Sequence, residues 1–189
     1  MIFTEIFIFI CLSIKIPRAI METKTWRNCF LMKEKIIELS ISGLQKHGLR
    51  FSIDEIAKSL RISKKTIYKY FPGKEDLASA VYEKFYSDTN SLLDDLLAPG
   101  TAAKFSELLA IYYRSYCMIK KEIFNKYALN DAIRTVAASA HERVWQRIQS
   151  KLPEDERDIV KNIIDGTFEK FDKQQASIDK TLTILERLI

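Results

Sequence analysis

The sequence predicts an all-α fold. Apolar residues recur at spacings of three and four through most of the chain, the period of one helix face. Glycine and proline are scarce, five and four in 189 residues, so long segments run without a breaker. Almost no window shows the strict apolar–polar alternation of a half-buried strand. With 47% of residues hydrophobic, a real core is available, and the length suits one or two small domains.

The chain opens on an apolar run, Ile2 to Ile14, broken by Thr4, Glu5 and Ser13 and followed by Lys15, Pro17 and Arg18. It is shorter than the roughly 20 apolar residues a bilayer span needs. It also lacks the basic start and small-residue cleavage site of a signal peptide. Residues 1–31 are therefore expected to form an extension, untranslated or disordered, with translation starting at Met21 or Met32. From Met32 the sequence Met-Lys-Glu-Lys-Ile-Ile opens directly into a first helix ending near Gly48. A membrane-tethered protein that uses residues 1–20 is the alternative.

Residues 48–77 carry the most information. Ser52 and Glu55 have the spacing of a capping box, in which the hydroxyl accepts from the Glu55 N–H and the carboxylate reaches back to the Ser52 N–H. The helix that follows has Ile53, Ile56, Ala57 and Leu60 on one stripe. Ser63 caps a second short helix that buries Ile67 and Phe71, with Ile62 just outside it. Its outer face pairs Lys64 with Tyr68 and Lys65 with Lys69, each one turn apart. Pro72-Gly73 stops this helix, and Glu75 and Asp76 suit the positive end of the next.

Two lysines occupy the first turn of the second short helix, where the helix dipole disfavours them. A polyanion would supply the compensating charge. From Lys46 to Lys74 there are eight basic residues, Lys46, Arg50, Lys58, Arg61, Lys64, Lys65, Lys69 and Lys74, against Asp54 and Glu55. The local net charge is +6 where the whole chain has +5, so the rest nearly cancels. A basic patch on one helix–turn–helix unit is the footprint of a phosphate-binding surface whose second helix enters the DNA major groove.

Residues 34–77 resemble the N-terminal DNA-binding domain of the TetR (tetracycline-repressor) family of bacterial transcriptional regulators. The resemblance rests on Gly48 at the end of the first helix and the Ile56-Ala57 pair in the second. It also rests on Ser63, Thr66, Ile67, Tyr68, Tyr70, Phe71, Lys74 and Leu77 at the spacing of the family's recognition segment. It covers about a quarter of the chain. Arg61 stands where the family usually has Gly in the inter-helix turn, a position that tends toward left-handed φ; it is expected either to take that conformation at a cost of about 1 kcal/mol or to give the turn another shape. Ser40 and Leu44 replace the usual Ala and Phe, a difference of packing.

The remaining elements follow in order. A long helix is expected from Lys74 to about Leu97, with Leu77, Val81, Phe85, Leu92, Leu93 and Leu96 inward, before Pro99-Gly100. The next is expected from about Ala102 to Tyr127. Its stripe is Phe105, Leu108, Leu109, Tyr112, Tyr116, Ile119 and Ile123, widened by Tyr113, Cys117 and Phe124, as befits the middle of a bundle. Asn130 can cap a third helix carrying Ile133, Val136, Ala137, Ala140, Val144 and Ile148. After Pro153, residues 154–172 place Val160, Ile163, Ile164, Phe168 and Phe171 inward, and Ser177 can cap a last helix with Ile178, Leu182, Leu185 and Leu188.

The expected organisation is a three-helix helix-turn-helix DNA-binding domain over 32–77 and a helical-bundle regulatory and dimerisation domain over 78–189. The expected function is sequence-specific DNA binding by a transcriptional regulator. Lys64, Lys65 and Tyr68, with Lys69 in reach, are expected at base edges. Ser52, Thr66, Tyr70 and Lys74 are expected at phosphates, fixing register without reading sequence. One recognition helix covers too few base pairs to be specific, so a homodimer on an inverted-repeat duplex is expected. The resemblance implies a repressor released by a small-molecule effector, with pairing through residues 154–189. Tyr112, Tyr113, Tyr116, Phe124, Tyr127 and Trp145 are candidates to line the effector pocket, the plain alternative being that they are core. No cluster of charged residues inside these helices points to a ligand's charge.

No phosphate-binding loop, dinucleotide fingerprint, metal-helix motif or nucleophile–base set stands in the sequence, so neither catalysis nor a cofactor or metal is expected. Cys11, Cys29 and Cys117 have no metal-like spacing and read as free thiols of a cytoplasmic protein. His47 and His141 stand alone and read as structural. The rival reading is a helical protein-interaction module that does not bind DNA.

Overall fold

The computed structural model describes residues 24–47, 52–120, 131–174 and 178–188. Among them every regular element is a helix. The apolar run at residues 1–20, Cys11, Gly48, Phe124, Tyr127, Asn130 and Ser177 lie outside the described residues, as do the side chains of His47 and Phe171.

Helix α1 (Lys24–His47) starts well before Met32, so it crosses the expected boundary between extension and DNA-binding domain. Nothing between Lys24 and Leu31 breaks a helix, since the stretch has neither Gly nor Pro. Ile36 and Ile37 are its buried core residues. Ser40 is also buried, and its hydroxyl donates to the Ile36 carbonyl at 2.7 Å, which satisfies the group without disturbing the packing.

Helices α2 (Ile53–Leu60) and α3 (Lys64–Tyr70) pack on one another, and α2 packs on α1. Ile56, Ala57, Ile67 and Phe71 join Ile36 and Ile37 in the small core beneath the turn. Helix α4 (Lys74–Leu97) has the predicted bounds and buries Leu77, Val81, Phe85 and Leu93. Leu92 departs from the expected stripe: it is 39% exposed, because Leu93 and Thr89 take the inward positions at this level.

Helix α5 (Phe105–Met118) is shorter at both ends than the predicted 102–127. At its start, the Lys104 N–H donates to the Glu107 carboxylate at 2.9 Å, and this moves the cap past Ala102. At its end, the Tyr82 hydroxyl of α4 donates to the Met118 carbonyl at 2.8 Å. The Ile119 N–H turns back to Tyr116. A carbonyl that a continuing helix would have used is thus satisfied from a neighbour.

Helix α6 (Asp131–Ile148) buries Ile133, Ala137, Ala140, Val144, Trp145 and Ile148, but leaves Val136 62% exposed, contrary to expectation. Short 3-10 turns at Gln149–Lys151 and Glu154–Glu156 flank Pro153, so helix α7 (Arg157–Gln174) begins three residues later than predicted. It buries Val160, Ile164 and Phe168 and leaves Ile163 exposed. Helix α8 (Ile178–Leu188) turns Leu182 and Leu185 inward.

The bundle is held by α4 against α6 and by α5 against both α6 and α8. Helix α1 packs on α4 and α5, so the helix-turn-helix unit is seated on the bundle through its first helix as well as through the chain connection at Lys74.

Candidate nucleic-acid interface

The turn between α2 and α3 is built by local hydrogen bonds. The Ser52 N–H donates to the Glu55 carboxylate at 2.9 Å, and the Glu55 N–H donates to Ser52 Oγ at 3.4 Å, closing the predicted capping box. At the other end of α2, Arg61 adopts φ 54° and ψ 42°, the left-handed conformation. The Ile62 N–H then reaches back to the Ala57 carbonyl at 3.0 Å, as in a Schellman-type cap. Arg61 thus occupies the position where glycine is the low-energy choice, and it is the non-glycine residue with positive φ among the described residues.

Ser63 caps α3, accepting from the Thr66 N–H at 3.1 Å, and its Oγ lies 2.9 Å from Thr66 Oγ1. With Ile67 and Phe71 buried, the opposite face of α3 is turned to solvent. It carries Lys64, Lys65, Tyr68 and Lys69, all exposed, Tyr68 at 46%. Lys74 is exposed too, at the first position of α4. There the Gly73 N–H is capped by the Asp76 carboxylate at 2.8 Å.

The eight predicted contact residues therefore divide. Lys64, Lys65, Tyr68 and Lys69 on α3 and Lys74 at the start of α4 are all exposed. Ser52, Thr66 and Tyr70 are half-buried with intramolecular partners: Ser52 caps α2, Thr66 meets Ser63, and the Tyr70 hydroxyl bonds the Cys29 thiol of α1. Burial first, and the thiol second, push the Tyr70 hydroxyl above its usual range.

Sequence reasoning missed one feature of this surface. Lys64 Nζ lies 2.5 Å from the Asp54 carboxylate of α2, across the turn. The hydrogen bond and charge of Asp54 raise the Lys64 ammonium above its usual pKa. Both side chains are more than half exposed (55% and 66%), so the pair remains open to exchange with an outside partner. The spacing of ten residues across a turn is not one that helix periodicity flags.

Of the aromatic candidates of the second region, the four described ones, Tyr112, Tyr113, Tyr116 and Trp145, come together. Tyr112 is fully buried and stacks on His141, with ring centroids 4.6 Å apart and planes within 8°. Phe168 sits 5.9 Å from Tyr112, 4.9 Å from Tyr113 and 5.7 Å from Tyr116, while Trp145 lies 5.3 Å from Tyr112. Charge is present at this cluster, contrary to the sequence expectation. The Tyr112 hydroxyl donates to Asp165 at 2.9 Å, and Asp165 pairs with Lys161 at 2.7 Å. Lys161 Nζ also lies 5.9 Å from both the Tyr112 and Trp145 rings. Burial, then the Asp165 carboxylate, drive the Tyr112 hydroxyl well above its usual pKa.

A surface groove of about 410 Å³ lies elsewhere, between the start of α5 and the 3-10 turns, lined by Phe105, Leu108, Lys151, Leu152, Glu156 and Glu186 among others. A second hollow of about 100 Å³ lies between Ile41 of α1, Phe85 and Leu92 of α4, and Ile111 and Arg114 of α5. Tyr112, Tyr113, Tyr116 and Trp145 line neither. Among the described residues no group of three or more His, Cys, Asp or Glu could hold a metal ion. No helix among them is long and apolar enough to cross a membrane.

Residues 36–81, which span the core of α1, the turn and the start of α4, match the family model for bacterial regulatory proteins of the tetR family. An uncharacterized HTH-type transcriptional regulator of Mycobacterium tuberculosis is 33% identical over 70 residues, 37% of this chain and 29% of that protein. The HTH-type transcriptional regulator YvaF of Bacillus subtilis is 28% identical over 65 residues, 34% of each. The matched part is thus about a third of the length of these relatives. Among solved structures, a transcriptional regulator (TerR/AcrR family) from Aquifex aeolicus superposes with a TM-score of 0.55 at 21% identity, over 82% of this chain and 96% of that one. That likeness extends the shared fold, though not the shared sequence, through the C-terminal bundle.

Proposed function

We propose that this chain, whose residues 36–81 belong to the tetR family of bacterial regulatory proteins, is a sequence-specific DNA-binding transcriptional regulator that works in the cytoplasm as a homodimer. The observation that carries the reading is the outward face of α3, where Lys64, Lys65, Tyr68 and Lys69 project together from a helix anchored by Ile67 and Phe71. Lysine ammonium groups at that face can donate to guanine O6 and N7, and Tyr68 offers both a ring and a hydroxyl. Lys74 would hold a phosphate beside the backbone N–H groups that open α4. The half-buried positions of Ser52, Thr66 and Tyr70 favour a supporting role, each offering one polar atom to the phosphate backbone at the rim of the unit.

On this reading the DNA-binding unit is residues 32–77 and the regulatory and dimerisation unit residues 78–189. Pairing through residues 154–189 is favoured by Ile159 and Ile163 of α7 and Ile184 of α8, large apolar side chains left exposed on helices whose other faces are buried. A small-molecule effector at Tyr112, Tyr113, Tyr116 and Trp145 would have to part their packing on Phe168, since they line neither hollow, and would then meet the Asp165 and Lys161 side chains. The effector could shift the spacing of the two α3 helices only by as much as it prefers one spacing to the other.

The experiment is fluorescence anisotropy of the full chain on duplexes from its own upstream DNA and on scrambled duplexes, from 50 to 300 mM salt. Tight binding to one upstream fragment, falling steeply with salt, is the expected result. Absence of binding at every salt concentration would favour the protein-interaction module instead.

A further inference from the structure

The ion pair between Lys64 and Asp54 joins the first turn of α3 to the first turn of α2. The two ends of this pair differ electrostatically. Asp54 sits where the α2 dipole welcomes a carboxylate, whereas Lys64 sits where the α3 dipole repels a cation. Helix α3 has no acidic residue of its own in that turn, so Asp54 supplies the compensation from outside the helix. The other lysines of α3, Lys65 and Lys69, are exposed as well.

We infer that Asp54 is a positioning residue that raises the DNA selectivity of Lys64, by holding its ammonium toward the turn and away from indiscriminate phosphate contact. The inference rests on the reading of α3 as the recognition helix. A lysine ammonium has three donors. One can stay on the Asp54 carboxylate while the other two meet the paired acceptors of a guanine edge. A phosphate, which needs only a mobile point charge, gains nothing from that orientation and must first draw the ammonium off the carboxylate. Asp54 therefore weakens non-specific binding more than specific binding, and it does so through Lys64.

The test uses the full chain with Asp54→Asn, Lys64→Met, the double variant and Asp54→Glu. Each is measured by anisotropy on an inverted-repeat duplex selected from random DNA with the unmodified chain, and on a scrambled duplex of the same composition. Thermal melting checks that each variant is folded. Asp54→Asn is expected to tighten the scrambled duplex about fivefold and steepen its salt slope by about one, while the selected duplex changes less than about twofold. In the Lys64→Met background the same change should do less than about twofold on either duplex, and Asp54→Glu, which still reaches Lys64, should keep the original ratio. Equal gains from Asp54→Asn with and without Lys64 would overturn the inference, since the carboxylate would then act on phosphates directly. Equal gains on both duplexes would also overturn it. If the unmodified chain selects no sequence and binds neither duplex, the DNA reading itself falls, and the inference with it.

Discussion

Ser115 Oγ of α5 and His141 Nδ1 of α6 lie 2.8 Å apart in the middle of the bundle, both buried. Ser115 also donates to the Tyr86 hydroxyl of α4 at 3.2 Å, so a three-member chain of side chains ties three helices together. A hydroxyl has one proton; with that proton given to Tyr86, the imidazole proton sits on Nδ1 and donates to Ser115. The ring face is covered by Tyr112, which stacks on it. His141 is therefore neutral, satisfied and shielded, as expected of a lone histidine that is structural.

That environment sets a pH dependence. Burial lowers the His141 pKa from its ordinary 6.5 to about 4, with the Asp165 carboxylate opposing and the Lys161 ammonium assisting. Below pH 6.5 the unfolded chain takes up a proton that the folded chain refuses, so stability is lost as pH falls from 6.5 toward 4. Above pH 6.5 the contribution is fully present. The loss across that window is about 3 kcal/mol. Urea unfolding of the native chain and of His141→Gln at pH 7.5, 6, 5 and 4.5 measures it. The native chain should lose stability more steeply than the variant over this range, and parallel losses would mean that the ring is already charged in the fold.

Arg61 predicts an easy gain. A non-glycine residue in the left-handed region costs about 1 kcal/mol or somewhat more, and glycine removes that cost while losing a part of it to unfolded-chain entropy. Arg61→Gly should stabilise the helix-turn-helix unit by roughly 0.5–1 kcal/mol, read as a higher midpoint in urea. Arg61→Ala keeps the Cβ and the strain, so it should give no such gain. A gain equal in both variants would place the effect in the guanidinium, not in the backbone.

The residues that made the fold legible are those whose signals are local. Ser52 with Glu55, Ser63 with Thr66, and Pro72-Gly73 fix the helix-turn-helix within a few residues of chain, and each is found where the spacing predicts. At Arg61 the resemblance left two outcomes open, and the left-handed turn is the one found. The end of α5 at Met118 could not, because it depends on the Tyr82 hydroxyl arriving from a different helix. The same holds for Tyr112 with Asp165, 53 residues apart, and for Lys64 with Asp54 across the turn. Exposed Leu92, Val136 and Ile163 mark the limit of a stripe read from periodicity, which locates an apolar face but not how much of it a neighbour covers.

Lys64 and Lys74 should differ in kind on DNA. On the proposed reading Lys64→Ala removes a base-edge contact, so it should relax preference at one base position and lower the ratio of selected to scrambled affinity. Discrimination at such a position is typically about 1–3 kcal/mol. Lys74→Ala would remove the proposed phosphate contact, so every sequence should weaken alike and the salt slope should fall by about one. Competition binding against a panel of single-base variants separates the two. Identical profiles for both variants would dissolve the division of roles.

In the proposed homodimer two copies should meet through α7 and α8. Ile159 and Ile163 stand one turn apart on the outward face of α7, 63% and 49% exposed, with Ile184 of α8 45% exposed. Three large aliphatic side chains in water on two C-terminal helices gain by pairing, and two-fold symmetry counts each contact twice. Replacing Ile159 and Ile163 together by Asp puts four carboxylates into such an interface. The cost is roughly 4 kcal/mol or more, about a thousandfold in the dimer dissociation constant. Because the same side chains face solvent within one chain, the monomer fold should survive, with its helical circular dichroism intact. Sedimentation velocity should then show a monomer, and affinity for an inverted repeat should collapse toward that of a half-site. A variant that remains an equally tight dimer would move the interface off α7, with the exposed Val136 face of α6 the next surface to change.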